Sequence, residues 1–548
     1  MRLVNEAKSE VAFPLQTPLL VQQSLRFCAL LANTCGRLKM ESYSWWNEKQ
    51  KTLMEDARTF ADKSIPRGEE VFWTKEFPSD LLSQVAQKGW FGAFIPAQYG
   101  GMDVGVTGVS IVAEELSRIC SALSEAYSVS MFGGVEQLLT FGTEDQKRRW
   151  LPRISKGELI GAVCITEPSV GSDAAGIETK AKREGNSYVL NGKKRFITNA
   201  GLADVYVVYA KTSEKPEDKA RYQHLTAFLV EKKTPGFSVE KINELSGWIG
   251  LPNGSLDFDN VRVPAENCIG PEGAGWKVMM AGLNFERVVY SAGMLGPMRE
   301  SIRHAVAYSQ RRMQFDKPTI DIPTNQAKIA EMVSQLYTSR LLVYYAAHLL
   351  DQHKEAMVEA ANAKMLVSDT YERLISDAIQ VMGGDGWTRF YPVETYLRDA
   401  KVNQIGAGTN QIMRLVIFRG GLKAMSKDLK MPKRTVHEKI KVPITTTEPP
   451  QRLELTEQNM LKILAEDYIV NPGLFMSRED VKERLNETDD QELNGILGTL
   501  ESKDLVKLHR DSKKAIVLAK ATFEGLRKAV PSEKLKWYPE WLSKDFIF

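Results

Sequence analysis

The segment WKVMMAGLNFERVVYSAGMLGPM (276–298) is a long apolar run at helical spacing that contains one adjacent pair of opposite charges, Glu286 and Arg287. Glutamate is rarely buried without a reason. A lone carboxylate on such a helix is a functional candidate, because burial shifts its pKa toward that of a usable base. The structural alternative is a Glu–Arg pair facing neighbouring helices. Four further segments carry residues suited to chemistry: CITEPSVGSD (164–173), KRFITNAG (194–201), AIQVMGGDGWTRFYPVETYLRDAK (378–401) and IGAGTNQIMR (405–414). Thr166 and Thr198 offer hydroxyls and Phe196 an aromatic face. Gly383, Gly384 and Gly386 lack Cβ atoms and permit the close backbone approach that a phosphate group needs. Each segment alone is weak, since a glycine-rich turn is usually only a turn.

The elements that must position these residues change along the chain. Residues 40–160 read as helices, with apolar positions three and four apart in WWNEKQKTLMEDARTFADK and GVSIVAEELSRICSALSEAY, and with IPAQYGG (95–101) as a break. Residues 161–272 read as strands, from β-branched and aromatic runs such as SYVLNGKKRFITNA and ADVYVVYAKT. Residues 273–430 return to helical periodicity, 431–455 read as a linker, 456–530 as a separate module and 531–548 as a tail. Residues 1–39 read as a leader outside the folded domains, or as sequence upstream of a start near Met40. The 548-residue chain has a net charge of +3, too weak to indicate a nucleic-acid or membrane partner, and no apolar run reaches the ~20 residues of a membrane span. Five cysteines, Cys28, Cys35, Cys120, Cys164 and Cys268, form no C-x-x-C pair, so neither a zinc site nor a disulfide framework follows, and a reducing compartment such as cytoplasm is the simplest reading.

Taken together, in this order and on a helix–β–helix layout, the four segments resemble the acyl-CoA dehydrogenase family over about residues 45–424. The resemblance implies an α+β multidomain fold: an N-terminal helical domain, a middle β-barrel-like domain and a C-terminal helical bundle. It also implies FAD-dependent α,β-desaturation of an acyl-CoA, in fatty acid or amino acid catabolism. By the family's pattern Ile165, Thr166, Phe196 and Thr198 line the flavin, and Ser172 lies where cofactor and acyl-CoA meet. Arg312 and Phe315 in YSQRRMQFDKP, with Gln380, Gly383 and Gly384, match contacts to the FAD of a neighbouring subunit, and Thr409 and Gln411 match further FAD contacts. A shared cofactor site implies a homo-oligomer, a tetramer in this family, with electron-transfer flavoprotein as the usual acceptor.

The reaction needs one carboxylate in an apolar pocket to take the Cα proton. Many members carry it just before the Gly-Thr of the fourth segment, where this chain has Ala407. In the isovaleryl and long-chain branches it lies on the upstream helix, in a Glu-Arg pair matching Glu286–Arg287. Glu286 is therefore assigned as the base, and Arg287 as a residue that positions the acyl-CoA or the adjacent chain segment. Gly406, where many members have Tyr, and Ala407 are both small and are expected to leave space for a branched or bulky acyl group. Asp316, Pro323 and SGWIGLPNGS (246–255) depart from the family's pattern, which puts individual adenine and CoA contacts in doubt.

The module at 456–530 reads as three helices, two short strands (DLVKLHR and KAIVLAK) and a last helix, an order that resembles a winged helix-turn-helix. Its second reading is DNA association, as in one alkylation-response branch of the family. The helix opening TDDQELNG puts Asp489, Asp490 and Glu492 where a reader helix would meet phosphate, although Lys507, Arg510, Lys513 and Lys514 make the hairpin basic. Packing or oligomer contact is the favoured role.

Overall fold

A computed structural model of the chain describes residues 42–425, 453–470, 474–486, 489–511 and 514–531. The leader, most of the linker, the tail and Lys513 lie outside the described residues. The chain divides into two compact units, residues 1–430 and 431–548.

The first unit opens with α1 (Glu48–Thr74), started by a capping box in which Asn47 and Gln50 exchange side-chain to backbone hydrogen bonds, and ended by Lys75 in the left-handed region. α2 (Ser79–Gln87) follows, then α3 (Gly105–Ile119), which is buried along nearly its whole length. The expected single helix through residues 108–127 is interrupted: Cys120 is extended, and α4 (Ser121–Ser130) starts anew, with the Ser121 hydroxyl donating to Asp399 at 2.7 Å. α5 (Glu136–Phe141) and α6 (Glu144–Ser155) complete the helical part. Buried charges on α3 are all paired. Glu114 accepts from Arg340, Glu115 from Arg118, and Arg118 also reaches Glu300 at 2.6 Å, which clamps α3 to the later helices.

The middle part is an eight-stranded sheet. Its strands are β1 (Gly161–Cys164), β2 (Lys180–Glu184), β3 (Ser187–Thr198), β4 (Val205–Lys211), β5 (Leu225–Glu231), β6 (Phe237–Ile242), β7 (Asn253–Pro264) and β8 (Cys268–Ile269), with the short helix α7 (Pro216–Ala220) between β4 and β5. Their order is β6-β7-β3-β2-β4-β5-β8, with β1 beside β4. The ladder between β3 and β7 slips between Lys194 and Ile197, a bulge that re-aims Phe196.

Five helices follow: α8 (Gly275–Arg311), α9 (Pro323–Asp351), α10 (Met357–Met382), α11 (Val393–Ile405) and α12 (Asn410–Met425), with a small hairpin of β9 (Met313–Gln314) and β10 (Lys317–Pro318) after α8. No helix of the described residues is long and apolar enough to cross a membrane.

The second unit runs α13 (Glu457–Val470), β11 (Met476–Ser477), α14 (Arg478–Glu483), α15 (Asp490–Ser502), β12 (Val506–Arg510), β13 (Ile516–Ala521), α16 (Phe523–Ala529). Its three strands form a sheet in the order β11-β13-β12 over its own core, which includes Leu464, Val481, Leu497 and Leu526. Leu453 joins this unit through a bridge to Leu485.

Candidate active site

Glu286 stands about three turns into α8. It is partly accessible, yet burial is the largest influence on its carboxyl and pushes the pKa up to about 7, opposed by the charges of Arg287 and Lys364. Glu286 and Arg287 are sequence neighbours that make no ion pair; Arg287 is buried, its pKa is lowered by burial, and its Nε has no hydrogen-bond partner. Arg287 thus sits inside the protein near Lys364. Lys364 on α10 is fully buried and donates to Asn410 Oδ1 at 2.8 Å. Burial and the Arg287 charge push the Lys364 ammonium down to about 7. Asn410 in turn donates to Ser368 and Asp369, so the fourth sequence segment is held against α10. Sequence reading missed Lys364 and Asn410. The available signal was a lysine at helical spacing from small or apolar residues, Ala360, Ala361 and Val367.

The expected space beside Gly406 is filled. Tyr290, one turn after Glu286, places its hydroxyl 2.9 Å from where a Gly406 Cβ would stand, and that hydroxyl lies 3.2 Å from Asn403 Oδ1. The small residue at 406 lets a tyrosine from another helix approach closely. Gly406→Ala is therefore expected to cost about 1–3 kcal/mol of overpacking, and Tyr290→Phe, which removes the clashing oxygen, to recover most of it. A double-mutant cycle of thermal unfolding reads the coupling. Ala407 adopts φ 52° and packs on the core.

The first two segments meet through a buried ion pair. Lys194 Nζ donates to Glu167 Oε1 at 2.8 Å, to the Tyr209 carbonyl at 2.7 Å and to the Ile165 carbonyl at 3.2 Å. Burial works against both charges, and the Lys194 ammonium holds the Glu167 carboxyl below its usual range. Arg195 N–H donates to the Thr166 carbonyl at 2.8 Å. Phe196 has φ 57° and is 51 % exposed, its carbonyl accepting from Asn253, which also donates to the Thr198 hydroxyl at 3.3 Å. Ile165, Thr166, Phe196 and Thr198 are thus fixed on adjoining backbone, with Phe196 half exposed and the Arg195 guanidinium 4.5 Å from its ring centroid. Ser172 is exposed on the loop after β1.

A second group gathers at the far end of α8. Arg312, Phe315, Gln380, Gly383 and Gly384 are all exposed. The Tyr308 hydroxyl donates to Asp385 at 2.6 Å, tying the end of α8 to the Gly383–Trp387 turn. Gly383 combines φ 63° with ψ −142°, a conformation essentially reserved for glycine, and a Cβ added at Gly383 or Gly384 would meet nothing within 4 Å. Exposed glycine backbone with open space around Gly383 and Gly384 admits a pyrophosphate, and the half-exposed Phe196 with the Thr166 and Thr198 segments fits a flavin ring. Thr409 differs: its hydroxyl accepts from Ile412 N–H and caps α12, while Gln411 is exposed. Two surface clefts, of about 620 and 670 Å³, are lined by other residues and not by Glu286.

Sequence families match in the same order as the structural parts: acyl-CoA dehydrogenase, N-terminal domain, over residues 47–158; middle domain over 162–261; C-terminal domain over 273–422. The chain belongs to the acyl-CoA dehydrogenase family. An acyl-CoA dehydrogenase of Bacillus subtilis (strain 168) is 40 % identical over 376 residues, 68 % of this chain and 97 % of that protein. The mitochondrial isovaleryl-CoA dehydrogenase of Pongo abelii is 35 % identical over 68 % of this chain and 88 % of its own. The structure of butyryl-CoA dehydrogenase from Megasphaera elsdenii superposes with a TM-score of 0.67 at 33 % identity, covering 70 % of this chain and 100 % of that one. The chain is thus an oxidoreductase of the acyl-CoA dehydrogenase type, desaturating an acyl-CoA with FAD as cofactor. The second unit lies beyond all three matched ranges.

Proposed function

We propose that Glu286 takes the Cα proton of the acyl thioester. The observation that carries this reading is a carboxyl on the buried face of α8 that is desolvated, yet partly accessible and held by no ion pair to its Arg287 neighbour. Bound FAD supplies the acceptor for the Cβ hydride. Ile165, Thr166, Phe196 and Thr198 hold the flavin end, with Ser172 toward the acyl-CoA, and Arg287 positions the acyl-CoA or the adjacent chain segment. Gly406 contributes to the acyl side through the tyrosine it admits.

Because Glu286 must be ionised to accept a proton, anaerobic flavin bleaching by acyl-CoA is expected to speed up about tenfold per pH unit below about 7 and to level off above it. A rate independent of pH from 6 to 8 removes Glu286 from this role.

Arg312, Phe315, Gln380, Gly383 and Gly384 serve the FAD of a neighbouring subunit in a homotetramer, and Thr409 and Gln411 make further FAD contacts. Support comes from the uncovered aromatic residues around them: Phe315 is 85 % exposed, Trp387 73 % and Phe390 83 %. Light scattering of the FAD-loaded protein is expected to give about four times the 61.6 kDa chain mass. Electron-transfer flavoprotein is the proposed acceptor, and the free Cys120, Cys164 and Cys268 support a cytoplasmic setting. The divisions 40–160, 161–272 and 273–430 are kept as the working domains. The order helix–strand–helix–helix–strand–strand–helix supports a winged-helix reading of the C-terminal module. The acidic first turn of α15 supports packing rather than DNA contact, since Asp490 is already paired with Arg478 and Lys482.

A further inference from the structure

Glu125 on α4 is 5 % exposed and has neither a hydrogen-bond donor nor a cation among the described residues. Burial drives its carboxyl pKa well up, and the two charges that bear on it, Asp399 and Glu286, are both acidic and push the same way. A buried carboxyl without a partner is destabilising, so this position is unfavourable unless something else completes it. Opposite it on α8 stands Gly293, where a Cβ would come 3.4 Å from Glu125 Oε1 and 3.2 Å from Ser124 Oγ. Gly293 is seven residues from Glu286, hence on the same helix face and about 10 Å further along the axis. Tyr290 lies between them. A second polar group is stranded nearby: the buried Tyr371 hydroxyl has no hydrogen-bond partner, and Glu125, Tyr290 and Asp399 all act on it.

We propose that Glu125, with Tyr371, is the specificity-determining end of the acyl site and hydrogen-bonds an uncharged polar group, a hydroxyl or carbonyl, at the distal end of a short acyl chain. This rests on Glu286 marking the reactive end. A neutral carboxyl both donates and accepts, so it suits such a tail. Its acidic surroundings, Asp399 and Glu286, disfavour a tail that is itself a carboxylate. A site built around a buried polar group rejects a substrate that leaves that group unpaired.

The test compares three pairs of acyl-CoAs matched in chain atoms, on the FAD-loaded enzyme: pentanoyl with 4-hydroxybutanoyl, hexanoyl with 5-hydroxypentanoyl, heptanoyl with 6-hydroxyhexanoyl. The wild type is expected to favour the hydroxy member of at least one pair by about tenfold or more in kcat/KM. Glu125→Leu is expected to reverse that preference, and Glu125→Gln, which still donates, to keep part of it. Gly293→Ala, which sets a methyl group against the carboxyl, is expected to weaken it. A wild type that prefers the methyl member of every pair overturns the proposal, as does a hydroxy preference that survives in Glu125→Leu. Flavin bleached by none of the six esters sinks the reading of Glu286 together with this one, whereas bleaching with a methyl preference sinks this one alone.

Discussion

Glu286→Gln is expected to lower kcat for acyl-CoA desaturation by about 10²–10⁴-fold, the range lost when a positioned base is removed, while the protein stays folded and yellow. The same variant gains stability at alkaline pH. The folded-state pKa of Glu286 is raised to about 7, so the native state binds this proton more tightly than the unfolded chain does. The stabilisation this confers is fully present below the ordinary carboxylate range and is lost as pH rises through about 7. At pH 8 the wild type carries a desolvated charge that the amide lacks, and thermal unfolding is expected to favour the variant by about 1–2 kcal/mol, a discounted figure because the residue is partly accessible. Stopped-flow bleaching and calorimetry on the same preparations separate the two effects. Full-speed bleaching in the variant moves the base elsewhere, and a variant that is inactive but less stable at pH 8 argues for a structural role.

The second large effect is expected at Lys194→Met. Lys194 is fully buried, and its ammonium satisfies the Glu167 carboxylate and two carbonyls. Removing it strands a buried charge, which costs about 3–5 kcal/mol. The cost falls on the segment that carries Ile165 and Thr166, so flavin content measured by visible absorbance is expected to drop with the melting temperature. Lys194→Met combined with Glu167→Gln removes both charges and is expected to recover most of the stability. A double variant no more stable than the single one would show that the ion pair does not hold this segment. Acid acts in the same direction as the mutation: Glu167 titrates below its usual range, so its contribution is present above the ordinary carboxylate range and is lost as pH falls through the lowered value.

The sequence on its own carried the family and the layout. Those rest on local signals: helical spacing, β-branched runs between turns, and four segments in a fixed order. Glu286 was legible for the same reason, because a charge in an apolar helical run stands out against its own neighbours. The glycines at 383 and 384 were legible as an open turn, and the structure gives Gly383 a backbone conformation that requires glycine.

What could not be read are contacts between residues far apart in the chain. Gly406 and Ala407 look like empty space in sequence; only the packing of α8 against α11 fills the first with Tyr290, 116 positions upstream by subtraction of the residue numbers. The helix through residues 108–127 looks continuous, yet Ser121 begins a new helix in which its hydroxyl reaches Asp399, a partner no local pattern announces. Lys364, Asn410, the Lys194–Glu167 pair and the unpartnered Glu125 are of the same kind. Burial of a polar group, and whether a partner compensates it, are properties of the assembled core. The sequence therefore determined which elements form and which reaction they serve, because backbone periodicity and motif order are local. The tertiary structure decided the desolvation of the proposed base and the packing around it, because desolvation and close packing arise only when distant segments meet.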